Sequence, residues 1–264
     1  MMDPMGIRRA VLELIVRQTL HEMKGDPRRG IRNLVDLGRE VSGGRIQDRF
    51  LNMIQQTLKG ENSPYYDMVQ RIVNQADLER LLKFGVNLGW NSLTQGTKCI
   101  RTLEEKKGCH IPWSLIFHME AGKDSLEYET YFRVIREGMA AGIYNYVIFA
   151  ADIRSVHMAV RLAADSQECA FWLLLPEAFF AEGQAEELIR CANILPGIYG
   201  QGSELEEGAC QLRRRKIPYF IYRCYTNQED VEEIVSTMGR RNGSIRRAGD
   251  CADFRWQAAF GRLY

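Results

Sequence analysis

Near residue 111 the spacing of apolar side chains changes, and that change limits the folds open to this chain more than any other feature. Up to Gly108, apolar residues recur three or four positions apart, as along one side of a helix. Beyond His110-Ile111-Pro112-Trp113 they come in short, nearly unbroken runs: Leu115-Ile116-Phe117, Tyr146-Val147-Ile148-Phe149, Phe171-Trp172-Leu173-Leu174-Leu175 and Tyr219-Phe220-Ile221-Tyr222. Pro112 cannot continue a helix and pushes the residue before it toward extended backbone, so the first run reads as a strand. Runs of this near-continuous apolar kind suit parallel strands covered on both faces. Strands are expected at 113–119, 144–150, 170–175, 194–199 and 217–224, with helices at 125–140, 154–165, 181–191, 203–214 and 228–239. Strict alternation with right-handed crossovers leaves a doubly wound sheet or a partial (β/α) barrel, and either would hold a ligand at the carboxyl ends of its strands.

Ahead of this α/β part, helices are expected over 5–24, 28–41, 45–58, 65–74 and 77–84, with Asp77 as an N-cap, and a charged helix over 94–107. Between the last two, Gly85-Val86-Asn87-Leu88-Gly89-Trp90-Asn91-Ser92 reads as a helix whose glycines allow close packing on a neighbour. The organisation is therefore an α-helical N-terminal region, 1–108, followed by an α/β region, 109–264.

Charge narrows the partners. Residues 1–120 carry 18 basic and 14 acidic side chains, 121–210 carry 6 and 14, and 211–264 carry 11 and 6, so the whole is nearly neutral at +1. No global field favours nucleic acid or a membrane surface. The first residues are neither a signal peptide nor a membrane span, and no later window is long and apolar enough for one, which predicts a cytoplasmic protein. Seven cysteines with no pair closer than ten positions read as free thiols.

The order of features resembles a group of bacterial radical S-adenosylmethionine (radical SAM) proteins with a helical leader. The residues that carry the resemblance are the helical start, the Asn-containing segment before a charged helix, His110-Ile111-Pro112-Trp113 opening the first strand, Gly142-Ile143-Tyr144-Asn145-Tyr146 before the second, and the stretch from Arg214 to Thr226 around the fifth. The resemblance implies an incomplete (β/α) barrel of the TIM type. It also implies a [4Fe–4S] cluster held by three cysteines in a C-x-x-x-C-x-x-C loop after strand one, with S-adenosylmethionine on the fourth iron; such a cluster needs thiolates. Here that loop runs Glu120-Ala121-Gly122-Lys123-Asp124-Ser125 without a cysteine. The family's Gly-Gly-Glu-Pro turn after strand two is Ala150-Ala151-Asp152-Ile153, and its Thr-Asn-Gly turn after strand three is Pro176-Glu177-Ala178. These departures imply an inactive relative with no cofactor expected, no iron-sulfur cluster and doubtful S-adenosylmethionine binding. The barrel is expected to stop after five strands and a weak sixth at Gly243-Ser244-Ile245-Arg246-Arg247.

Other chemistry is sparse. Cys109-His110 and His118 lie too far apart along an extended chain, roughly 25 Å, to share a metal. Glu120, Asp152 and Glu177 each fall at or just past a strand end, where they could converge on a pocket for a divalent cation or an amine, or splay apart into solvent. Arg213-Arg214-Arg215-Lys216 could contact phosphates or serve the end of a helix, where cations are favoured by the dipole. Phe254 and Trp256 lie in an apolar-aromatic tail that, with the helical leader, would make a contact surface. The expectation is a protein that is not an enzyme and acts by binding, as a partner or regulatory subunit, either of an active radical SAM paralogue or through self-association. The alternatives are a repurposed strand-end pocket and, less favoured, nucleic-acid binding through the arginines.

Overall fold

The structure, a computed structural model, describes residues 4–41, 51–56, 58, 64–122, 125–180, 184–199, 204–225 and 257–261. Helices α1 (Pro4–Glu22), α2 (Pro27–Val41) and α3 (Pro64–Gln75) come first. Then α4 (Leu78–Val86), a π-helix (Asn87–Gly96) and α5 (Thr97–Lys107) follow one another without a break. Gly108, in the left-handed region at φ 67°, ends this rod, where only glycine turns without strain. The α/β part alternates β1 (Ser114–Met119), α6 (Tyr128–Ala141), β2 (Asn145–Ala150), α7 (Ile153–Asp165), β3 (Ala170–Leu174), two 3₁₀ segments, β4 (Ile194–Tyr199), α8 (Glu204–Arg214), β5 (Phe220–Tyr225) and β6 (Gln257–Gly261).

All six strands are parallel and pair in sequence order, β1-β2-β3-β4-β5-β6. A doubly wound sheet reverses its strand order at a switch point, and no reversal occurs here, so that alternative is set aside. The order is compatible with a partial (β/α) barrel. Alternate residues of each strand divide between the faces. Tyr146, Ile148, Phe171, Leu173, Ile198 and Ile221 join the large core that includes residues of α6, α7 and α8, while Leu174, Phe220 and Tyr222 form a second cluster with Val147, Phe149, Trp172, Leu195 and Tyr199. No helix among the described residues is long and apolar enough to cross a membrane.

What sets the amino ends of the strands is the rod. Asp77, whose side chain caps α4 through the amides of Glu79 and Arg80, donates its own amide to Lys216 O ahead of β5 (2.8 Å). Arg80 donates to Leu188 O and Cys191 O (both 3.1 Å) and to Ile189 O, at the carbonyl end of the 3₁₀ turn that precedes β4. Asn87 donates to Gln167 O and Cys169 O and Asn91 to Glu168 O, all ahead of β3. Gly96 abuts Gly142, ahead of β2. Glu104 accepts from Ile111 N, ahead of β1, at 2.8 Å. One helical rod thus meets the loop before every strand from β5 to β1, in reverse order, about seven residues or ~10 Å of helix per loop.

The π-helix has a geometric reason. From Asn87 to Gly96 is nine positions, which at 3.6 residues per turn is two and a half turns and would aim Gly96 away from the sheet. Bonds from i to i+5, such as Thr97 N to Ser92 O, bring residues four and five apart onto one face, so Asn87, Asn91 and Gly96 all point at the sheet. A Cβ on Gly96 would stand 2.2 Å from Gly142 O, so this contact requires glycine. The expectation of close packing at Gly85 and Gly89 is corrected: a Cβ at either would meet nothing within 4 Å.

Two further expectations change. In place of the α-helix expected over 181–191, the described residues of this connection form 3₁₀ segments, Glu177–Phe180 and Gln184–Arg190. The sixth strand is Gln257–Gly261, in the stretch read as a tail, paired with β5 from Ile221 to Tyr225. The weak strand expected at 243–247 and the helix at 228–239 lie outside the described residues.

Candidate functional site at the carboxyl ends of the strands

In a parallel β/α sheet, loops at the strand carboxyl ends are where ligands are held. Glu120 directly follows β1 and is exposed. Asp152, between β2 and α7, has extended backbone (φ −149°, ψ 171°) and caps the helix: Oδ1 accepts from Ser155 N at 2.9 Å. Its other oxygen, Oδ2, accepts from Ala121 N at 2.7 Å. Partial burial works against the charge, and the Ala121 and Ser155 amides outweigh it, holding the Asp152 carboxyl below its ordinary range. Ala151 N donates to Met119 O at 2.9 Å, extending the β1–β2 ladder by one bond. Glu177 begins a 3₁₀ turn past β3 whose Phe179 and Phe180 are buried.

Of the three positions, Glu120 and Asp152 follow neighbouring strand ends, which the Ala121–Asp152 bond ties together. Glu177 follows β3, two strand spacings or ~10 Å from the end of β1. Among the described residues no three His, Cys, Asp or Glu side chains are grouped to hold a metal ion. A shallow cleft, open to solvent and with room for little more than a water molecule, is lined by Met119, Glu120, Leu126, Tyr131, Arg154 and Met158. It lies beside the end of β1, bounded by α6 and α7.

The sheet face away from α6 to α8 is filled by its own rings. Trp172 meets Phe84 of the rod and Phe220 of β5 edge-on, with centroids 5.2 and 5.7 Å away. Phe220 occupies the space over Gly197, where a Cβ would stand 2.6 Å from the ring. Tyr222 packs edge-on to Tyr199 and donates to Leu175 O at 2.8 Å. Toward β1 this ladder thins, and Ile116 is 54% exposed.

The described cysteines stand elsewhere. Cys169 and Cys191 are buried just ahead of β3 and β4, at the amino end of the sheet, and burial pushes their thiols up to about 12 and about 11. Cys99 and Cys109 are exposed on and after α5, and Cys210 is half-buried on α8. A [4Fe–4S] cluster at the β1–α6 connection would need thiolates that this stretch does not supply, so the residues present do not fit it.

The basic run ends a helix. Arg213 and Arg214 are in the last turn of α8. Arg215 pairs with Glu186 (Nε 2.8 Å, Nη2 2.6 Å) and donates from Nη1 to Gln211 O. Lys216 turns the chain at φ 54°, and its carbonyl receives the Asp77 amide. Cations placed on a helix carbonyl end have the dipole as their physical reason. Phe254 and Trp256 lie outside the described residues. Comparison with protein-family models, curated proteins and solved structures finds no match.

Proposed function

We propose that this chain is a cytoplasmic, non-catalytic relative of the radical SAM proteins, an incomplete (β/α) barrel of the TIM type on a helical base, which acts by binding as a partner or regulatory subunit. The observation that carries the reading is how the strand-end polar groups are used. Asp152 spends one oxygen on Ser155 N and the other on Ala121 N, and the Ala151 amide is bonded to Met119 O. Groups that would face a cofactor in an active relative here hold the β1 and β2 ends to each other. The sequential parallel strand order agrees with a barrel lineage.

Anaerobic reconstitution of the full chain with iron and sulfide tests this. No broad visible cluster absorption should develop, and S-adenosylmethionine should leave the melting temperature unchanged, because a ligand specific to the folded form would raise it. A reconstituted cluster, or stabilisation by S-adenosylmethionine, sinks the proposal. A second reading, a small-ligand or cation pocket with Glu120, Asp152 and Glu177, is favoured by the cleft that Glu120 and Arg154 share. It predicts stabilisation by a divalent cation or an amine that Glu120→Ala abolishes.

A further inference from the structure

Strand β1 ends the sheet. Among the described residues it pairs only with β2, over all of its positions and without a bulge. Met119 O accepts from Ala151 N, so Leu115, Phe117 and Met119 turn their backbone groups to β2, and the alternation of a strand turns those of Ser114, Ile116 and His118 outward. Such an edge is usually guarded by charge, proline or a bulge, because a row of unpaired amides and carbonyls is a template for another strand. Ser114-Leu115-Ile116-Phe117-His118-Met119 has none of these guards. Ile116 is 54% exposed, and Trp113, just ahead of the strand, is 47% exposed.

We propose that this edge is a homodimer contact, in which β1 of two copies pairs antiparallel about a two-fold axis through Ile116. The order of side chains selects a second copy. Ser114-Leu115-Ile116-Phe117-His118 runs polar, apolar, apolar, apolar, polar, and so reads alike in both directions. A half-turn about Ile116 sets Ile116 on Ile116, Leu115 beside Phe117 and Ser114 beside His118 of the other copy. The two sides of the sheet are kept: Leu115 and Phe117 lie on the helix side, and the other three lie opposite. The backbone agrees. Residues 114, 116 and 118 of each copy meet 118, 116 and 114 of the other, so every outward amide and carbonyl of the strand is bonded in one register. Ser114 Oγ accepts from Asn145 Nδ2 at 2.9 Å, which leaves its proton for the His118 ring of the second copy. Moving the axis to Leu115 sets Ile116 on Ser114 and His118 on Pro112, which has no amide. Moving it to Phe117 sets Ile116 on His118 and Ser114 on Glu120. Only the axis at Ile116 matches side chains and backbone together. The strand holds no Asp, Glu, Lys or Arg, so two copies meet without like charges in the seam. A single strand pair is a small interface, so the dimer depends on concentration. The contact does not use the strand-end carboxylates, and its test is independent of the function proposed above.

Sedimentation equilibrium of the full chain over a wide concentration range, with cross-linking of cysteine variants, provides that test. The wild type dimerises. Ile116→Lys, which sets two ammonium groups against each other on the axis, weakens association by about tenfold or more without changing the circular dichroism spectrum. Ile116→Cys, oxidised with oxidised glutathione, forms a covalent dimer at least about tenfold faster than the wild type or Leu126→Cys. Only a residue on the axis meets its own copy, and the ~5.5 Å between opposed Cα atoms suits a disulfide. A wild type that stays monomeric throughout overturns the proposal, in favour of a strand from another protein on this edge. So does a dimer that Ile116→Lys leaves intact, or one in which Ile116→Cys cross-links no faster than Leu126→Cys. Species that keep growing beyond a dimer also overturn it, since β1 would then meet the far edge of the next copy rather than itself.

Discussion

The two ends of the sheet are built on different terms. At the amino end, the polar groups are buried and bonded across long stretches of chain: Arg80 reaches three carbonyls more than a hundred residues away, and Asn87, fully buried, reaches two. At the carboxyl end, where ligand chemistry is usually placed, the described loops are mostly exposed, and Asp152 bonds to the neighbouring Ala121 and Ser155. A buried carbonyl deprived of its donor keeps the desolvation penalty, whereas a solvated carboxylate loses little when removed. The comparison teaches that specificity in this molecule is concentrated where the rod grips the sheet, opposite the end at which an enzyme of this architecture would concentrate it.

Mutations that travel from one end to the other should therefore fall in effect. Gly142→Ala comes first: at φ 98° a Cβ is strained, and it would stand 2.5 Å from Gly96 O, so urea unfolding should show a loss of roughly 3–5 kcal/mol. Arg80→Met leaves three carbonyls without their donor and should cost about 3 kcal/mol in the same assay. Asn87→Leu strips two and should cost about 2 kcal/mol. A smaller figure for Arg80→Met than for any strand-end variant would break the comparison.

Asp152→Ala should cost about 1 kcal/mol, the usual worth of a helix cap. Its pH dependence sharpens the point. Because the folded carboxyl titrates below its ordinary value, its contribution is present above the unfolded pKa of about 3.9 and is lost as pH falls through the lower folded value. The gap between wild type and variant should thus be constant near neutrality and close on acidification below about pH 4; a gap that widens in acid would refute the assignment. Glu120→Ala should leave the unfolding curve where it is, since the side chain is exposed.

Much of the α/β part was legible because it rests on local pattern. The run from Tyr146 to Phe149 is apolar on both faces and is a strand bonded on both sides, β1 and β3. Asp152 carried a second legible sign, its place directly before a helical pattern, which marks an N-cap; placing it only in a pocket overlooked that. The rod was not legible in the same way. Arg80, Asn87 and Asn91 recur at helical spacing in an apolar helix, which signals a polar seam, but nothing near them says that the seam faces loops eighty to a hundred residues later. Likewise the tail residues 257–261 became a strand through their pairing with β5.

The sequence alone determined the local elements, since the period of its apolar residues, its prolines and its glycine stops act over a few positions and need no distant partner. It also determined that the β1–α6 connection holds no thiol. Tertiary structure decided the rest. A ten-residue π-helix forms because only that pitch turns Asn87, Asn91 and Gly96 toward one sheet, and Asp152 became a clamp because folding brought the Ala121 amide to it. Both depend on contacts between segments distant in the chain, whose free energy exists only once the sheet is assembled.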